Sequence, residues 1–180
     1  MRFIAAIMGC ALLSACAIQA PKYVAQPQSQ SILKNGGLGH VSMGTFSARE
    51  PGLERLSIRG NPLTPTTGTF SGDIRQALES ELRQAGLLGL DQQTTIGGTL
   101  VTNELNGRGL SKGYATIAMD FFVVRDGHEV WRGTKTVSNT WDSSFFGAKA
   151  IPAASQGYVE SIGKLVAELV SDAGFQDALK

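Results

Sequence analysis

At 180 residues the chain is long enough for one domain to bury its own core, and 16 Lys and Arg against 15 Asp and Glu leave a formal net charge of +1. With no run of Lys or Arg, this balance argues against nucleic acid or anionic lipid as an electrostatic partner. The two cysteines, Cys10 and Cys16, both lie near the start, so no disulfide framework is expected.

Residues 1–15 carry one positive charge at Arg2, an apolar stretch from Phe3 to Leu13 and small residues before Cys16, the layout of a removable export signal. The stretch is shorter than the roughly 20 apolar residues that a bilayer-spanning helix needs. Its ending, Leu13-Ser14-Ala15-Cys16, resembles the bacterial lipobox. That resemblance implies a Cys16 thiol alkylated by diacylglycerol, with its amine acylated after cleavage. One buried acyl chain holds a protein only marginally, whereas several hold it for its lifetime. By the same resemblance, Ala17 after the cysteine points to the outer membrane, with the domain facing the periplasm.

Residues 16–37 are rich in Gln, Ser, Pro and Ala and are expected to form the lipidated N-terminus and a flexible tether. Fully extended, the polar stretch from Ala17 to about Asn35 spans on the order of 60 Å. Residues 38–180 are expected to form a single globular α/β domain. A strand is predicted near Val41 to Phe46 from its alternation. A long connection, 49–70, follows, with room for a short strand at Leu56-Ser57-Ile58, and is itself a candidate surface.

Ser71 is placed to cap a helix running from Asp73 to Ala85, whose Ile74, Ala77, Leu78, Leu82 and Ala85 form one apolar stripe before Gly86 stops it. Strands are predicted over 95–105, 114–125 and 129–138, the last two joined by the two-residue turn Asp126-Gly127. That turn sets Arg125 opposite His128, Val123 opposite Val130 and Phe122 opposite Trp131. Ala115, Ile117, Met119, Phe121 and Val123 then face the helices, and Phe122 and Trp131 face away. Pro152 suits the first turn of a last helix carrying Tyr158, Ile162, Leu165, Val166 and Leu169, ended by Gly174. The order β-α-β-β-β-α predicts a two-layer α/β sandwich: a mostly antiparallel sheet of about four strands, with two helices on one face.

Gly109-Leu110-Ser111-Lys112-Gly113 matches the G-x-S-x-G pattern of serine hydrolases, but a strand, not a helix, is predicted after it, and His128 falls beside a hairpin turn. A hydrolase is the remote alternative; the expectation is no enzyme and no catalytic residue. Two histidines, His40 and His128, without a free thiol leave no zinc set, so no metal or cofactor is expected. Gly97-Gly98 marks a bulge or a close backbone approach. Two aromatic groups are candidate partner-binding residues. One is the Phe122/Trp131 pair; the other is Trp141 with Phe145 and Phe146, which also suit the rim of the core.

Lipobox, polar tether, strand, helix, three strands and a C-terminal helix together resemble the YajG-type group of outer-membrane lipoproteins. The residues carrying the likeness are Ile74-Arg75-Gln76-Ala77-Leu78, Ala85-Gly86-Leu87 and Phe175 to Leu179. More loosely, the layout resembles the lipoprotein partner of the lipopolysaccharide-insertion barrel and the auxiliary lipoproteins of lipid-transport ABC systems. The resemblance implies a non-enzymatic accessory or interaction domain in the envelope, with a membrane, an envelope protein or a lipid as partner. The alternative it implies is a lipid or lipopolysaccharide transport and assembly component, which should show a deep apolar groove between sheet and helices.

Overall fold

The main sheet is organised by three long strands in succession, β5 (Thr94–Asn106), β6 (Lys112–Arg125) and β7 (His128–Asp142), paired antiparallel. The computed structural model describes residues 17–90 and 92–180, so the expected signal segment and Cys16 lie outside the described residues. β2 (Ser42–Ala48) adds to β5 in parallel, giving the order β2-β5-β6-β7. Between them in sequence runs α2 (Phe70–Ala85), and after β7 comes α3 (Gly147–Val170). Strand, helix, three strands and helix, as predicted, therefore form the centre of a larger α/β fold.

The elements around that centre were not all foreseen. β3 (Leu56–Ile58) is the expected short strand, and it turns through Arg59-Gly60 into β4 (Asn61–Thr64). β1 (Ile18–Gln19) joins β4 in parallel, making a second, three-stranded sheet. α1 (Pro27–Asn35) packs against α2 and α3, and α4 (Ala173–Ala178) packs against β7. The 16–37 tether is thereby corrected: Ala20, Ser29, Gln30 and Leu33 are buried within it. Composition misled because polar side chains do much of the fixing, bonding to a partner distant in sequence.

α2 starts one turn before its first apolar stripe residue because Thr69, not Ser71, caps it, its Oγ1 accepting from Gly72 N at 3.0 Å. The Glu54 carboxylate accepts the Phe70 and Ser71 amides, placing negative charge at the positive helix end. Gly86, at φ 77°, ends the helix in the left-handed conformation that glycine adopts without strain. α3 begins at Gly147, so Pro152 sits inside it, where its missing N–H removes one intrahelical bond. It ends at Val170 rather than at the expected Gly174, which lies within α4, where the Asp172 carboxylate caps the new helix by accepting from Phe175 N at 2.7 Å.

The core lies between the main sheet and its helices. Ile96, Leu100, Ile117, Met119, Phe121 and Val123 from the sheet meet Leu78, Leu82, Tyr158 and Leu165, all fully buried. Each such aliphatic or aromatic side chain contributes about 1.5–3 kcal/mol relative to exposure. Gly97 and Gly98 are places of close approach: a β-carbon at Gly97 would strike the Phe122 ring, and one at Gly98 would lie 3.0 Å from Phe46 on the opposite face.

The β6–β7 hairpin departs from the expected register. Asp126 and Gly127 have φ 51° and 79°, the positive pair that a tight two-residue turn needs, and Arg125 faces His128 as predicted. Glu129 faces Val124, but Trp131, not Val130, faces Val123, and Phe122 faces Arg132. Val130 is the extra residue of a β-bulge, and every later residue of β7 changes face.

Candidate functional site

The bulge separates the five aromatic candidates. Trp131 turns to the helix side and packs edge-on against Phe175, with ring centres 5.4 Å apart. Trp141 lies on the same side at the other end of β7, half-buried, where β-carbons at Gly113 and Gly157 would run into its indole. Phe122 stays on the uncovered face with the Arg132 guanidinium 5.1 Å over its ring. The expected Phe122/Trp131 cross-strand pair therefore does not form. Phe145 and Phe146, beyond β7, are 72% and 69% exposed and pack edge-on against each other at 5.8 Å.

Those two rings belong to a built apex. Arg59, in the β3–β4 turn at φ 53°, donates Nε to the Gly107 carbonyl at 3.2 Å and Nη1 to the Phe145 carbonyl at 2.9 Å. Its Nη2 reaches the carbonyls of Gly109 and Ser144. Ser143 N donates to Ser111 O at 2.8 Å, and Phe146 N to Ser144 Oγ at 3.2 Å. One guanidinium thus ties the β5–β6 loop to the β7–α3 passage, so their apolar tips are held rather than loose. Leu110, at the tip of the first loop, is 66% exposed. Arg108 and Lys112, on either side of it in sequence, and Lys149, in the first turn of α3, are exposed; Lys112 pairs with Asp142 at 2.6 Å and holds that carboxyl below the usual range. A shallow hollow lined by Ser57, Glu104, Asn106, Arg108 and Tyr114 opens alongside.

Reasoning from sequence reached Phe145 and Phe146 but missed Leu110 and Arg59. The signal for Arg59 was its place before Gly60-Asn61, a turn pair; nothing local marks its long-range carbonyl partners.

The uncovered face of the main sheet is hydroxyl-rich, with Thr99, Thr116, Thr134, Thr136, Ser138 and Thr140 on adjoining strands. Asp120 at its centre accepts from Thr134 Oγ1 at 2.6 Å and from Arg49 at 2.9 Å, so its charge is paired. Ser111 and His128 lie at opposite ends of the β6–β7 hairpin. At about 3.4 Å per residue along 14 residues of β6, roughly 45 Å separates those ends, so the two cannot form a nucleophile–base pair. Among the described residues, no three His, Cys, Asp or Glu side chains converge as metal ligands, and no helix is long and apolar enough to cross a membrane.

One buried carboxylate stands apart from the apex. Glu81 on α2 is fully buried, accepting from Tyr23 Oη at 2.6 Å, Gln26 N at 2.8 Å and the Gln30 amide. Burial, reinforced by Glu81, pushes the Tyr23 hydroxyl well above its ordinary range, so it remains a donor. This cluster fastens the N-terminal segment to the helices.

The assembled fold superposes on protein XCC0632 from Xanthomonas campestris, of the DUF330 family, with a TM-score of 0.63 at 14% sequence identity. The match covers 91% of this chain and 97% of that one. The two share a fold. A protein named as a lipoprotein from Caulobacter crescentus aligns at 15% identity and a TM-score of 0.49, over 81% of this chain and 92% of its own. A minor lipoprotein from Acinetobacter baumannii aligns at 12% identity and 0.46, over 76% and 91%. No protein-family model and no curated protein matches the sequence.

The DUF330-like architecture puts sheet and helices in direct contact. Among the described residues, the interface where the lipid-transport alternative would place a deep apolar groove is filled by Leu100, Met119, Phe121, Tyr158 and Leu165.

Proposed function

We propose that the mature chain is a lipid-anchored protein of the bacterial envelope, held through Cys16 at the outer membrane, with its domain in the periplasm as a non-enzymatic accessory or interaction module. The observation that carries this reading is the run Leu13-Ser14-Ala15-Cys16, directly ahead of a chain that enters its fold at Ile18. An export signal ending in a lipobox supports both acylation and the envelope address. The separation of Ser111 from His128 speaks only against the serine-hydrolase alternative, whose nucleophile and base would have to meet. The YajG-type resemblance agrees with this role and adds no residue of known chemistry.

The test is intact-mass analysis of the protein extracted from native membranes, alongside Cys16→Ala. Acylated Cys16 in the wild type, with loss of lipoprotein processing in the variant, is expected. An unmodified Cys16 thiol on membrane-extracted protein overturns the reading. Cross-linking in intact cells, followed by isolation of the acylated protein, then identifies whatever the domain contacts.

A further inference from the structure

We propose that the apex formed by Leu110, Phe145 and Phe146 is a bilayer-contact surface that seats the domain on the membrane beside its own lipid anchor; this rests on the lipidation of Cys16 proposed above.

The position of the chain start carries the inference. β4 runs from Asn61, at the Arg59-Gly60 turn, towards Thr64, and β1 lies parallel to it with Ile18 opposite Leu63. The chain therefore enters β1 from the turn side, and Ala17 is one peptide from Cys16, about 3.8 Å between α-carbons. The same turn carries Arg59, whose guanidinium holds the carbonyls of Gly109, Ser144 and Phe145. Lipid attachment and exposed rings thus share one end of the molecule.

A flexible tether would let the domain stand clear of the headgroups, but β1 and α1 occupy Ile18–Gln19 and Pro27–Asn35. With acyl chains on Cys16 inserted in the bilayer, the surface around the turn comes to headgroup depth. What stands there are three large apolar side chains, each about two-thirds exposed or more, in the β5–β6 loop and the β7–α3 passage. Aromatic side chains suit that depth, where rings reach the acyl boundary and neighbouring polar groups stay wet. The exposed Arg108 and Lys149 are suited to headgroup phosphates, while Lys112 is paired with Asp142, and Glu104 keeps the local charge moderate. Apolar insertion, not electrostatics, is the driving term.

The test uses the full acylated protein, reconstituted in vesicles of phosphatidylethanolamine and phosphatidylglycerol. With Cys16 alkylated and Cys10 removed with the signal, an introduced cysteine is the unique thiol. A polarity-sensitive dye is placed at Ala148→Cys, exposed in the first turn of α3, which keeps both rings. The reference is Lys180→Cys, at the end where Arg125 Nη2 bonds Ala178 O. A blue shift and quenching by lipid-borne nitroxides are expected at Ala148→Cys and not at Lys180→Cys. Adding Phe145→Ser and Phe146→Ser should abolish both signals while circular dichroism is unchanged. Water-like emission at both positions, with acylation confirmed by mass, overturns the contact and leaves the lipoprotein reading intact. Signals that survive the double substitution also overturn it, since the lipid alone then positions the dye. An unacylated Cys16 overturns the underlying reading.

Discussion

Replacing Glu81 by Ala should loosen the N-terminal segment before it loosens anything else. The carboxylate is fully buried and receives three donors, Tyr23 Oη, Gln26 N and the Gln30 amide, all from the segment that precedes β2. Hydrogen bonds to a charged acceptor contribute about 1.5–3 kcal/mol each, and their loss is not additive when one segment can detach as a unit. Detachment lets the orphaned donors reach water but exposes Ala20 and Leu33, so a loss of about 3–4 kcal/mol is expected. Glu81→Gln keeps one acceptor oxygen and should lose roughly half as much. Urea unfolding gives the magnitude; amide hydrogen exchange gives the place, with faster exchange across Pro27–Asn35 and little change in β6. A Glu81→Ala protein within about 0.5 kcal/mol of wild type, its α1 amides still protected, would refute the reasoning.

Three further outcomes follow from packing and charge. Leu82→Ala and Leu165→Ala, both fully buried, should each cost about 2–5 kcal/mol in thermal unfolding, while Glu79→Ala, which pairs with Arg75 and Arg83 at the surface, should cost under about 1. Trp131→Ala should destabilise by about 2 kcal/mol through its lost contact with Phe175, and Phe146→Ala should leave the melting temperature unchanged; equal effects would mean that the register is wrong. The hydrogen bond from Lys135 holds the Asp172 carboxyl below its ordinary range against a smaller opposing effect of burial. A carboxyl lowered by folding contributes stability above its unfolded value of about 3.9 and loses it as pH falls through the native value. Asp172→Asn should therefore flatten the acid limb of the stability–pH curve and leave its slope above neutrality alone.

How much of this was legible in the sequence differs by interaction range. The α2 stripe, the Gly86 stop and the Asp126-Gly127 turn are local signals, and each appears where expected. The N-terminal segment was misread because its anchor is Glu81, dozens of residues away, and a Gln-rich stretch looks unstructured when judged by apolar content alone. Arg59 escaped notice for the same reason: its partners are four backbone carbonyls brought close only by the fold.

The hairpin register is different, since the information was present beyond the turn. Continuing an unbulged pairing from Arg125 and His128 would set Ile117 opposite Thr136 and Val137 opposite Thr116, each apolar side chain facing a hydroxyl. Inserting one extra residue at Val130 sets Ile117 opposite Val137 and Ala115 opposite Asn139, whose amide then bonds the Gly157 carbonyl at 2.9 Å. A bulge costs one unpaired residue, whereas the wrong face costs the burial of a whole strand. The slip also decides where apolar surface remains. Both tryptophans turn under the helices, Phe122 is shielded by Arg132, and the uncovered face keeps its threonines. Large rings are then left to solvent at Phe145 and Phe146, on the end of the molecule from which the chain runs back to Cys16.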